Sequence, residues 1–171
     1  MGRMNNGMTM LIAYDGSEQA AIAMEHAARL LRPDTVEILT AWEPAARQAA
    51  RAVSRSGLHQ AAMAPETPED DPAYEEALNT CHEGVAVAEG LGLAGRAHLV
   101  ECSTTMAAAI VDAADELNVD VIVTGTRALT GFKALWSSSM ADQIIRNAGR
   151  PVFVVPPEHD DEDEETGDFR G

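Results

Sequence analysis

Between Val121 and Met140 an apolar run passes into a segment of small and hydroxyl-bearing residues, with Gly125, Thr126, Gly131 and the triplet Ser137, Ser138 and Ser139. Residues of these types suit an anion. Glycines let the backbone come close to a ligand, and serine hydroxyls with N–H groups at a positive helix end can surround a phosphate. A second polar junction, Asp15, Gly16 and Ser17, ends another apolar run from Met8 to Tyr14. An Asp-Gly pair makes a turn and Ser17 can cap a helix, a reading that stands beside any ligand role for Asp15.

Other chemistry finds less material. His26, His59, His82, His98 and His159 show neither His-x-x-x-His nor paired-carboxylate spacing, so no metal site is expected. There is no P-loop, no G-x-S-x-G elbow and no ordered Ser/His/Asp set. Arg47, Arg51 and Arg55 recur every four residues and would form one stripe on a helix, either a clamp for phosphate or an acidic segment, or simply a solvated face. Trp42 and Trp136 stand where an indole could stack on a base or pack against the body of the protein.

The elements that must position these groups follow from periodicity. Short apolar runs at Met8 to Tyr14, Val36 to Trp42, Arg96 to Glu101, Asp120 to Thr124 and Pro151 to Val155 read as five strands. Between them, helical spacing predicts helices from Ser17 to Pro33, Tyr74 to Leu91, Thr105 to Leu117 and Ser139 to Ala148. Alternating strands and helices imply an α/β fold, an open five-stranded parallel sheet with right-handed crossovers and helices on both faces. Residues 43–72, rich in Ala, Arg, Gln, Pro and acid, read as an insertion, partly helical at best.

A chain of 171 residues, 46% of them hydrophobic, can bury one proper core. The expected layout is an extension at 1–7, a domain at 8–156 and an acidic disordered tail at 157–171. The net charge of −16 disfavours nucleic acid, whose backbone is bound by neutralising cations. No run is apolar enough for a membrane span or a secretory signal, and Cys81 and Cys102 lack redox or zinc spacing, so the expectation is a cytoplasmic protein with both cysteines in the core.

Over residues 8–156, apart from the insertion, the chain resembles the universal stress protein family. Two motifs carry the likeness: the apolar strand ending in Asp15-Gly16-Ser17, and a loop whose family pattern is Gly, two residues, Gly, nine residues, Gly, then Ser or Thr. Gly125 and Ser139 match that loop, while its second and third glycines fall on Ala128 and Ser138. The resemblance implies ATP, with magnesium, across the carboxyl ends of the first and fourth strands. Its contacts would be Ala13, Tyr14, Asp15, Ala41, Gly125, Thr126, Arg127, Ala128, Gly131, Ser138, Ser139 and Met140. It further implies a stress-response regulatory or protective factor with weak ATPase activity at most, and a homodimer through Val152, Phe153, Val154 and Val155 at a sheet edge. The two replaced glycines leave open a nucleotide-free member that serves as a protein-interaction module.

Overall fold

Turn residues cut the chain into short apolar strands and amphipathic helices, and the computed structural model, described over residues 7–56, 65, 67–126 and 140–157, assembles them in alternation. The order is β1 (Thr9–Ala13), α1 (Glu18–Leu31), β2 (Thr35–Trp42), α2 (Ala45–Ser56), a single 3-10 turn at Pro68–Asp70, α3 (Pro72–Gly90), β3 (Ala94–Glu101), α4 (Met106–Glu116), β4 (Val121–Gly125), α5 (Met140–Asn147) and β5 (Val152–Val155). All strands are parallel and lie in the order β3-β2-β1-β4-β5. The five strands expected from the sequence are the five in the sheet.

The sheet is buried where it is most apolar. Met10, Leu11 and Ile12 of β1 are fully enclosed, because side chains alternate across a strand and both faces here are covered. Met10 and Ile12 join a core beneath α1 and α3, and Leu11 joins a second beneath α4 and α5. Helix boundaries follow their caps. Ser17 accepts from the Ala20 N–H at the start of α1, and Arg32, in a left-handed conformation with φ 50°, ends that helix just before Pro33. Thr105 accepts from the Ala108 N–H at the start of α4.

The insertion is partly helical. It contains a 12-residue helix, α2, and its last residue, Pro72, opens α3, which therefore starts two residues before Tyr74. Alanine and arginine favour helix, but α2 also has a specific anchor. The carboxylate of Asp71, a residue only 1% exposed, accepts from the Ala73 N–H at 2.9 Å as the N-cap of α3, and from the Ala45 N–H at 3.0 Å at the start of α2. One side chain thus satisfies orphan donors of two helices. Proline at the first position of α3 sits where a missing N–H costs nothing.

Arg150 provides a second tie. Its guanidinium donates to the carbonyls of Ala114 and Val119 at 2.8 and 2.7 Å and pairs with Asp115, joining the end of α4 to the turn before β5.

Candidate functional site

In an open parallel sheet the ligand crevice lies beyond the carboxyl ends of the strands where strand order reverses. Here that place is between β1 and β4, which pair through Met10 with Val121, Leu11 with Ile122 and Ile12 with Val123. The expected contacts that fall on described residues lie on the elements around it. Ala13, Tyr14 and Asp15 leave β1, Gly125 and Thr126 leave β4, Met140 opens α5, and Ala41 lies on β2, two positions past the Leu39 that pairs with Ala13. Arg127, Ala128, Gly131, Ser138 and Ser139 lie outside the described residues, as does Trp136.

The β1 exit is rigidly made. Tyr14 is 3% exposed; its N–H donates to the Leu39 carbonyl at 2.9 Å, and its own carbonyl accepts from the Thr40 hydroxyl at 2.9 Å. Asp15 then turns the chain. Its Oδ1 accepts from the Ser17 N–H at 3.0 Å and from the Ser17 hydroxyl at 2.5 Å, while Ser17 Oγ accepts from the Ala20 N–H at 3.2 Å. Gly16 between them has φ +77°, a conformation that a residue with a Cβ adopts only with strain. The turn-and-cap reading of Asp15-Gly16-Ser17 therefore describes its geometry, and it leaves Asp15 on the exposed rim of the crevice.

Gly125 has a different reason for being glycine than closeness to a ligand. A Cβ there would stand 2.8 Å from the Gln19 carbonyl oxygen and 3.1 Å from its carbon, both backbone atoms of the first turn of α1. What approaches Gly125 is a helix. Thr126 continues the strand pairing, its N–H donating to the Val155 carbonyl at 3.0 Å. Beside these exits, the Gln19 Oε1 is buried and has no hydrogen-bond partner among the described residues.

A groove of about 380 Å³ runs along α3, lined by Pro72, Glu75, Glu76, Asn79, Thr80 and Glu83, and Thr80 borders Gly16. Its carboxylates make it a poor bed for phosphate, so an anion is favoured only toward the β4 exit. The same charge acts on Tyr14, whose phenol is raised above the ordinary 10.0, first by burial and then by the nearby Glu83 and Asp15 carboxylates. The sign follows. Below pH 10.0 the phenol is neutral in both states; above it the unfolded phenol ionises first, and stability falls as pH rises toward the higher folded value. Tyr14→Phe is expected to remove this alkaline loss, measured by denaturant titrations on both sides of pH 10.0. Equal alkaline sensitivity in both proteins would contradict it.

Several sequence candidates turn out to be structural. Arg47 donates to the Cys102 carbonyl and pairs with Glu101 at 3.1 Å, and Arg51 pairs with Glu43, so two members of the stripe are held by the chain's own groups; the Arg55 side chain lies outside the described part. Trp42 packs edge-on to Tyr74, with ring centroids 5.3 Å apart and planes at 82°, and is buried. Cys81 and Cys102 are buried free thiols, as expected. His98 does meet a carboxylate: its Nε2 lies 2.5 Å from Oε2 of Glu37, a buried residue of β2, and Arg96 lies 3.5 Å from the other oxygen. Sequence spacing could not reveal this pair, because its members face each other across β2 and β3. Among the described residues no three His, Cys, Asp or Glu side chains are grouped to hold a metal.

Comparison with known proteins follows this geometry. The model of the universal stress protein family matches residues 8–156. A universal stress protein of Thermus aquaticus is 30% identical over 159 residues, covering 86% of this chain and 97% of its own. Among solved structures, a universal stress protein from Archaeoglobus fulgidus is 25% identical, with a TM-score of 0.62, covering 86% of this chain and 98% of its own. Another from Archaeoglobus fulgidus, solved in complex with dAMP, is 21% identical with a TM-score of 0.58, covering 89% and 99%.

Proposed function

Since the chain belongs to the universal stress protein family, we propose that it binds an adenine nucleotide, ATP foremost, in the β1/β4 crevice and works as a homodimeric cytoplasmic regulator of a stress response. The observation that carries this reading is the convergence of the Asp15 turn and the β4 exit at the reversal of strand order. A relative of the same fold in complex with dAMP supports it. Asp15 on the exposed rim would face the nucleoside, while Gly125, Thr126, Arg127 and Ser139 would lie toward the phosphates, away from the acidic groove. Bound magnesium would offset the repulsion between a triphosphate and that acidic surface. The buried Gln19 acceptor, without a partner among the described residues, is compatible with a polar ligand at this place.

Nucleotide would act by shifting a conformational population, which needs only unequal affinity for two states and no bond cleavage. Ser139→Ala is expected to weaken ATP by roughly 0.5 to 1.5 kcal/mol, the net worth of one neutral hydrogen bond, and Asp15→Ala, which removes a charged acceptor, by roughly 1.5 to 3 kcal/mol. Unchanged affinity in both variants would remove the site. A second reading, a nucleotide-free interaction module, is favoured by one observation: the space beside Gly125 is already taken by the backbone of α1.

The dimer is proposed through β5, which ends the sheet and leaves one edge of Val152, Phe153, Val154 and Val155 without a strand partner among the described residues. None of these residues is charged, and Pro151 and Pro156 bracket the run, favouring a short two-fold contact over open-ended growth. Val154→Lys is expected to yield a monomer in sedimentation. A wild-type chain already monomeric at high micromolar concentration would overturn the dimer. The two buried free cysteines fit a reducing compartment.

A further inference from the structure

Gln19 is the second residue of α1, and α1 begins where β1 ends. Helical side chains lean toward the helix N-terminus, so its carboxamide leans toward the carboxyl end of the sheet. Its main chain is pressed against β4, with the carbonyl oxygen 2.8 Å from where a Cβ of Gly125 would stand. This residue therefore belongs to the wall between the two strand exits. Its Oε1 is buried and lacks a hydrogen-bond partner among the described residues.

A buried acceptor without a donor weakens the fold, and an apolar side chain of the same length would pack there without that penalty. Neighbouring α1 residues on the sheet side, Ala20, Ala23 and Met24, are apolar. Helix propensity gives no reason for glutamine either, since methionine is equally suited to helix. A buried acceptor kept between the two strand exits, at a cost to the free protein, is accounted for by a donor that arrives with the ligand.

We infer that Gln19 is a ligand contact of the crevice, its carboxamide oxygen accepting a hydrogen bond from a neutral N–H or O–H of the bound nucleoside. This rests on the nucleotide reading above. Two groups of an adenosine have that chemistry, the amino group of the base and the hydroxyls of the ribose. The residue adds to the contacts expected from the sequence motifs, all of which lie near the strand ends, in the segment after β4, or at the start of α5.

The test compares the full-length wild type with Gln19→Met, which keeps the length of the side chain and removes its polarity, and with Gln19→Ala as a second truncation. Thermal unfolding without nucleotide is expected to be unchanged or higher in Gln19→Met. Calorimetry is expected to show affinity for ATP about five- to tenfold weaker in the variants, the loss of one hydrogen bond. Inosine triphosphate, which lacks the amino group, and 2′,3′-dideoxy-ATP, which lacks both ribose hydroxyls, separate the two donors: whichever analogue lacks the partner of Gln19 should bind wild type and Gln19→Met equally. If wild type binds ATP and both variants bind it as tightly, the inference is overturned and the nucleotide reading stands. If wild type binds none of the three nucleotides, both fall.

Discussion

Replacing Asp71 with alanine is expected to lower stability by about 2 to 4 kcal/mol, because one buried carboxylate serves two helices. Loss of an N-cap costs about 0.5 to 2 kcal/mol, and this one belongs to α3, the longest helix described. The same change strips the partly buried Ala45 N–H at the start of α2 of its acceptor, which adds up to about 1 to 3 kcal/mol, the cost of a buried donor left unsatisfied. Asp71→Asn keeps an acceptor oxygen and should fall between the two. Denaturant unfolding measures the loss, and far-ultraviolet circular dichroism should show some helix lost in the alanine variant. A cost under about 1 kcal/mol would mean that α2 is not held through Asp71, and the link from insertion to body would have to be sought elsewhere.

Gly125→Ala is the second large expectation. A methyl group 2.8 Å from a backbone carbonyl oxygen cannot be accommodated by a rotamer change, so α1 and β4 must move apart. Overpacking of this kind costs about 1 to 3 kcal/mol. The displaced segment is the first turn of α1, which carries Gln19 and is capped by Ser17, so nucleotide affinity should fall together with stability. An alanine variant as stable as wild type would show that the strand exit tolerates a Cβ and that close helix approach is not what glycine provides there.

Gly125 also illustrates how far the sequence could be read. Its position after an apolar strand and before a Gly/Ser/Thr-rich segment marked it as special, and it does end β4 beside the reversal of strand order. The physical reason was invisible, because the atom that crowds it belongs to Gln19, brought across by folding. Asp71 escaped notice for the same kind of reason: as an acidic residue just before Pro72 it is ordinary, and only the approach of Ala45 gives it a second helix to cap. The Glu37–His98 pair likewise depends on strand register, which aligns Glu37 with Arg96 and places His98 two residues on. Strands and helices were legible because burial imposes local periodicity on the chain. The bounds of α2 were not, since its apolar content is mostly alanine and its anchors, Asp71 and the Cys102 carbonyl reached by Arg47, are remote in sequence.

The central claim is that the β1/β4 crevice holds an adenine nucleotide, and titration calorimetry of the purified full-length chain with ATP, in the presence of magnesium, tests it most directly. The account predicts saturable binding of one nucleotide per chain, weakened by Asp15→Ala, together with a nucleotide-dependent rise in the unfolding temperature. No binding heat and no thermal shift with ATP, ADP or AMP at millimolar concentration would contradict it, and would leave the nucleotide-free interaction module as the reading that survives.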